Sequence, residues 1–298
     1  MATGSLMLIL RILGIIFPVF AAAALGAAYG RWRRPDMATV NQLNMEVFAP
    51  ALVFWALSTK PLEPAAFLDL TLGAVAVILG SGLLLLPLVP LLGVSYKTFL
   101  PPMMFNNSGN MGIPLALFAF GEVALQAAVV LFIVEMLLHF TVGLYILDHR
   151  TRIWGLFKMP IILATIAGLA VGLSGVVLPD FLANTIELVG QVSVPLLLFS
   201  LGVRLLEIDL KDWGIGVLGA VLCPLSGVAM ALLVMPWLDL TEMQASLLLI
   251  YGALPPAVLN FIVAEQYNQE PSKVASIVML GNLGSLVAVP LVLYFALQ

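Results

Sequence analysis

Apolar runs of about 20 residues follow one another along the whole of this chain, and their succession restricts the fold more than any other feature. A helix of that length crosses the hydrocarbon of a bilayer. Gly, Pro and charged residues punctuate the sequence into ten such runs, at 6–29, 39–58, 66–92, 98–121, 124–146, 155–174, 186–204, 213–236, 243–266 and 272–296. Charged residues are only 9% of the 298, against about 25% in ordinary soluble proteins, too few to keep a 62% hydrophobic chain in water. A transmembrane β-barrel would show alternating segments of about 10 residues, and none are visible. The expected fold is all-α, with ten transmembrane helices and the lipid bilayer as solvent. Connections are too short for a soluble domain. The net charge of −4 is scattered over loops and offers nucleic acid no surface. Cys223, the only cysteine, has no partner for an intramolecular disulfide.

Residues 6–30 end in small residues, as a cleaved signal peptide would. No basic segment precedes them, however, Arg11 interrupts the run, and Arg31, Arg33 and Arg34 follow it, so they read as a retained first helix. Ten spans then sort the basic residues. Arg31, Arg33, Arg34, Lys97, Arg150, Arg152, Lys158, Arg204, Lys211 and Lys273, ten of the twelve, share one side. Lys60 lies on the other, with Arg11 a turn or two inside the first helix. The excess of Lys and Arg marks the cytoplasmic side, which puts both termini outside.

A shift of 145 residues lays the first five runs on the last five. VFAPALVF (Val47 to Phe54) meets VSVPLLLF (Val192 to Phe199), sharing Val, Pro, Leu and Phe at one spacing. Five spans per half is an odd number, so the halves enter the membrane from opposite sides, an inverted repeat of the kind found in secondary transporters.

The fourth run of each half is interrupted. The first carries Asn106, Asn107, Gly109, Asn110, Gly112 and Pro114; the second carries Gly252, Pro255, Pro256 and Asn260. Pro removes a donor and Gly removes the preference for helix. Irregular backbone at membrane depth survives only inside protein or beside a cavity. Paired interruptions point to a midplane binding site. Half-helices starting near Gly112 to Pro114 and near Pro255 would aim unpaired N–H groups and the positive ends of their dipoles into the break. That makes an anion site without a fixed cation, to which the amides of Asn106, Asn107, Asn110 and Asn260 add donors and acceptors. The alternative is that Gly and Pro merely kink packed helices.

NNSGNMGIPLALF (Asn106 to Phe118), together with PPAVLNFIVAEQY (Pro255 to Tyr267), resembles the two signature regions of the auxin efflux carrier family. Its bacterial members are often described as permeases for malonate or other organic acids. The resemblance extends over the whole chain in span number, repeat and outside termini. It implies two inverted five-helix repeats, 1–148 and 149–298, which together form a scaffold part and a transport part. It also implies that the fourth and ninth helices cross at their breaks, with a substrate site there and elevator-like alternating access. Site residues carried over are Asn106, Asn110 and Pro114 in the first motif, and Pro255, Pro256 and Asn260 in the second. Plant members have a long loop between the halves; here the link from Leu147 to Trp154 is about eight residues, which points to a bacterial-type carrier in the inner membrane and away from auxin. A homodimer is mildly favoured by the resemblance, and Gly26 and Gly30 offer a small-residue face that serves either internal packing or a dimer.

Ionisable residues inside spans are candidates for coupling to H+ or Na+. Glu46 lies four residues before Pro50, and its mate at the 145 shift, Gln191, four before Pro195; with Ser193 they form either an ion or proton site, or hydrogen bonds between packed helices. Glu135 and His139, at i and i+4, face the same way and serve either as a proton relay or as a packing pair. Glu265 comes near the end of a broken span, where an interfacial position explains it equally well. No metal site, cofactor site or catalytic constellation is visible, since Ser108 and Ser200 lack an evident His partner. The reading is a secondary carrier of a small organic anion. Its competitors are a sodium-coupled symporter of the bile acid–sodium type, a non-transporting receptor or scaffold, and an intramembrane enzyme.

Overall fold

The computed structural model describes residues 2–59, 64–149, 153–206 and 212–297. Four of the basic residues that orient the chain, Lys60, Arg150, Arg152 and Lys211, lie outside the described residues. Every regular element among the described residues is a helix. Six are long and apolar enough to cross a membrane: Leu6–Arg33, Ala65–Leu85, Glu122–Leu147, Asp180–Arg204, Trp213–Trp237 and Pro271–Ala296. The other four apolar runs are shorter or interrupted, among them Pro160–Ser174 and the two Gly/Pro-rich segments. The run expected at 186–204 begins earlier, at Asp180. Asp180 and Glu187 lower its hydropathy without breaking it, because Asp180 sits in the first turn, where a carboxylate favours the helix dipole.

Local signals set the ends of these helices. Thr241 and Gln244 form a reciprocal capping box ahead of Glu242–Ala253. Pro160 opens Pro160–Ser174, and Gly175 closes it in the left-handed region, at φ 69°.

The chain forms two compact units, and each takes segments from both halves of the sequence. One contains Met1–Val19, Leu68–Thr151 and Glu207–Gln298. In it Trp213–Val234 packs along Pro271–Ala296, with Gly216 against the Ser276 carbonyl and Gly219 against Ile277. Small residues let helices approach where lipid gives no hydrophobic drive to associate. Gly227 and Gly252 meet backbone to backbone, so Trp213–Val234 also locks onto the helix Glu242–Ala253.

The second unit contains Phe20–Phe67 and Arg152–Leu206. Here a Cβ on Gly26 would lie 2.0 Å from the Phe199 carbonyl oxygen, and one on Gly202 only 1.8 Å from that of Ala23. Gly30 packs on Val203 and Leu206. The Gly26/Gly30 face is therefore spent inside the chain.

Pro271–Ala296 begins at Glu270, whose carboxylate accepts from the Thr98 hydroxyl at 2.6 Å and pairs with Lys273. The hydrogen bond from Lys273, then that from Thr98, hold the Glu270 carboxyl below its ordinary value. A depressed carboxyl contributes stability above its unfolded value, and loses it as pH falls through the folded value. The melting temperature of the wild type should fall more steeply than that of Glu270→Gln as pH is lowered from about 5, where free glutamate begins to protonate. Parallel curves would show that the pair contributes nothing.

Candidate functional site

The second arms of the two fourth-run segments start at Ser108, not near Gly112 to Pro114, and at Leu259, not near Pro255; the non-helical backbone ahead of each has no helical partners, and the fold supplies them. The helix Tyr96–Met104 ends at Phe105, residues Phe105–Asn107 leave the helix, and a π-helical turn Ser108–Gly112 leads into Ile113–Phe120. The helix Glu242–Ala253 ends at Leu254, and the chain stays non-helical through Ala257 before Leu259–Gln266. These two intervals lie side by side. Asn107 N–H donates to the Pro255 carbonyl at 2.7 Å, and Ala257 N–H donates to that of Phe105 at 3.0 Å. The result is an antiparallel bridge centred on Asn106 and Pro256.

Asparagine amides complete the set. Pro255 has no N–H to give the carbonyl four residues before it, that of Tyr251. Asn106 Nδ2 donates to that oxygen at 2.7 Å. Asn260 Nδ2 donates to the carbonyls of Phe105 at 2.8 Å and Ala257 at 3.0 Å. Asn107 Nδ2 donates to Asn282 Oδ1 at 3.1 Å, and Asn282 Nδ2 donates to the Pro256 carbonyl at 3.0 Å. Two glycines allow the approach: a Cβ on Gly281 would be 2.5 Å from Pro256, and one on Gly112 would be 2.9 Å from Leu254.

The structure thus brings Asn106, Asn107, Gly112, Pro255, Pro256 and Asn260 together, but the amide donors of the three asparagines are committed to backbone or to Asn282. Asn110, part-buried in the π-helical turn, makes no side-chain hydrogen bond with the described residues. Pro114 is buried at the start of Ile113–Phe120. The first N–H groups of that helical arm, from Ser108 to Asn110, have no partner within it, since Met111 and Gly112 take the Asn107 carbonyl. Three buried acceptor atoms also stand unpartnered: Asn106 Oδ1, Asn260 Oδ1 and the Tyr251 hydroxyl oxygen. Beside them a cavity of about 10 Å³, room for one water, is lined by Ser108, Gly112, Tyr251 and Leu254.

Glu135 and His139 lie against this region, 5% and 2% exposed. His139 Nδ1 is 3.2 Å from Glu135 Oε1, and Ser108 Oγ donates to Glu135 Oε2 at 3.3 Å. The Phe105 ring stacks on the imidazole with centroids 4.3 Å apart. The carboxylate stands between Ser108 and His139, so the imidazole does not receive the serine proton, as a nucleophilic site would require.

The remaining candidates lie elsewhere. Glu46 and Gln191 are exposed members of the second unit, and each bonds one helical turn away: Gln42 Nε2 donates to Glu46 at 2.9 Å, and Gln191 Nε2 to Glu187 at 2.9 Å. Ser193 is fully buried, with an unpartnered hydroxyl. Glu265 is exposed in the last turn of Leu259–Gln266. Among the described residues no three His, Cys, Asp or Glu side chains gather as metal ligands. Sequence reasoning missed Asn282. A lone asparagine in SIVMLGNLGSLVAVP is a polar residue inside a span, and that alone marks it.

The family described as "Membrane transport protein" matches residues 149–293, the second half of the chain. Over 95% of both chains, the sequence is 27% identical to a Rhizobium meliloti protein provisionally named a malonate transporter. It is 24% identical to an uncharacterized transporter of Methanocaldococcus jannaschii over 63% of this chain and 64% of that one. The relatives are named as transporters, not enzymes, and the apolar helices make this a multi-pass membrane protein.

Proposed function

We propose that this relative of the membrane transport proteins is a secondary carrier of a small organic anion, with malonate-like dicarboxylates as the first candidates. The observation that carries the proposal is the bridge between the two non-helical intervals. Segments 150 residues apart satisfy each other's backbone and leave the N–H groups of Ser108 to Asn110 without a partner in the helical arm that they open. An anion held there meets the positive end of a helical arm and the uncommitted amide of Asn110. No lysine or arginine lies in either interval, so binding stays weak enough for release.

The two intervals are read as breaks in crossing fourth and ninth helices of a ten-helix inverted repeat. Matching lengths and offsets support this. Pro64–Leu85 and Trp213–Val234 are both 22 residues long, with starts 213 − 64 = 149 residues apart. Glu122–Leu147 and Pro271–Ala296 are both 26 residues long, with starts 271 − 122 = 149 apart. The offset of 145 between VFAPALVF and VSVPLLLF is four residues smaller, and at the bridge, where Asn106 faces Pro256, it is 150. Transport would proceed by elevator-like alternating access in a bacterial inner membrane, with both termini outside and the carrier assembled as a homodimer.

Asn106 Oδ1 and Asn260 Oδ1 favour one second reading, a sodium-coupled symporter of the bile acid–sodium type, because buried carbonyl oxygens suit a hard cation. Uptake of labelled malonate by proteoliposomes loaded with unlabelled malonate tests both. The carrier reading predicts exchange well above protein-free liposomes, equally in sodium and in choline. Exchange only in sodium would establish the second reading, and no exchange for any mono- or dicarboxylate would overturn the first.

A further inference from the structure

We propose that the Glu135–His139 pair is a proton-coupling site, taking up one proton when an organic anion occupies the first interval and releasing it when the anion leaves, so that anion and proton cross together. The inference rests on the carrier reading above. The pair is more than nine-tenths buried, and its two side chains are in hydrogen-bond contact. With one proton it is neutral overall, whether as carboxylate and imidazolium or as carboxyl and imidazole. Without that proton a net negative charge stands in a low-dielectric interior, an expensive state.

The pair is wired to the interval at two points. Ser108, which supplies the first unpaired N–H of the helical arm, donates its hydroxyl to Glu135. Phe105, whose carbonyl accepts from Ala257 and Asn260 across the bridge, lays its ring on His139. An anion on the Ser108 N–H therefore sits next to the carboxylate, and like-charge repulsion favours the protonated pair.

No other ionisable group on the surrounding elements takes over this role. Ile113–Phe120 and Ser108–Gly112 contain none. Glu242–Ala253 presents Tyr251, within electrostatic reach of Glu135, and Glu242 nine positions earlier. Glu122 stands thirteen positions before Glu135, and Tyr145 on Leu144–Leu147 is exposed. The step forms and breaks only bonds to hydrogen: a proton from water on one side adds to the pair and leaves to water on the other.

Proteoliposomes containing the full chain and the internal pH dye pyranine, given an inward malonate gradient, provide the test. The inference predicts internal acidification that tracks malonate entry, with one proton entering per malonate. In Glu135→Gln the proton signal should vanish from whatever malonate flux remains, and His139→Gln should do the same. Malonate entry by the wild type with no proton movement would overturn this inference and leave the carrier reading standing. Absence of malonate entry and exchange would remove both. Should one variant fail to fold, the other decides the site, and a wild-type proton-to-malonate ratio of zero refutes the inference by itself.

Discussion

Gly227→Ala is expected to be among the most destabilising single substitutions in this chain, by about 2–4 kcal/mol, the range of severe overpacking. A Cβ at that position would lie 2.1 Å from the Gly252 carbonyl oxygen and 2.8 Å from its carbon. Both obstacles are backbone, so no rotamer change relieves them. Gly252→Ala meets the Gly227 carbonyl oxygen at 2.5 Å and should behave in the same way. Gly252 stands only three residues before Pro255, so the damage would reach the bridge as well as the helix pair. Gly214→Ala, where nothing lies within 4 Å, is the control and should be neutral or slightly stabilising through its helix propensity. Thermal unfolding of the purified variants in one detergent checks the ordering. Gly227→Ala melting with Gly214→Ala would show that the two helices do not meet as described.

The second large effect separates two kinds of asparagine. Asn260→Ala removes the amide that serves both the Phe105 and Ala257 carbonyls, and Asn106→Ala leaves the Tyr251 carbonyl with the Leu254 N–H alone. Each carbonyl keeps one backbone donor, so what is lost is the net worth of a hydrogen bond, about 0.5–1.5 kcal/mol apiece, and the second arm's hold on the bridge. Both variants should melt several degrees lower and lose most transport, because the bridge that shapes the site loosens. The sequence-based carrier reading predicts that Asn110→Ala and Asn260→Ala lose binding with folding retained. The structure changes that expectation for Asn260. Asn110 makes no such bond, so Asn110→Ala should keep the wild-type melting temperature and lose binding at least tenfold, since a substrate hydrogen bond to a charged group is worth about 1.5–3 kcal/mol. Transport and melting measured on the same preparations check this contrast, and a common loss of stability would erase the distinction.

Much of this was visible in the sequence, because membrane burial writes itself into composition and proline carries a fixed stereochemical meaning. The apolar runs, the interruption at Pro255–Pro256, and the facing pair Glu135 and His139 follow from local rules, whereas the first interruption lies at Phe105–Asn107, ahead of the Gly112–Pro114 stretch where it is expected. What could not be read is which polar atom meets which. Asn106 and Tyr251 are 145 positions apart, and Asn107 and Asn282 are 175 apart. No local spacing encodes such pairings, so Asn106, Asn107 and Asn260 read as ligand-facing amides, whereas Asn106 and Asn260 donate to backbone carbonyls and Asn107 to Asn282. The link from Ser108 to Glu135 was hidden for the same reason. Hydropathy falls at the polar residues of Asp180–Gln191 and so places the start of this span at 186, although a helix tolerates them on one face.

One measurement tests the central claim, that the first interval holds an organic anion, most directly. Purified wild-type protein and Asn110→Ala are melted across a malonate series, with sodium and pH fixed. A ligand that binds only the folded state raises its stability by RT ln(1 + [L]/Kd), so a specific site gives a shift that climbs with concentration. The account predicts that shift for the wild type and a much smaller one for Asn110→Ala, from the same ligand-free melting temperature. Equal shifts in both proteins, or none in the wild type with malonate or any other mono- or dicarboxylate, would contradict it.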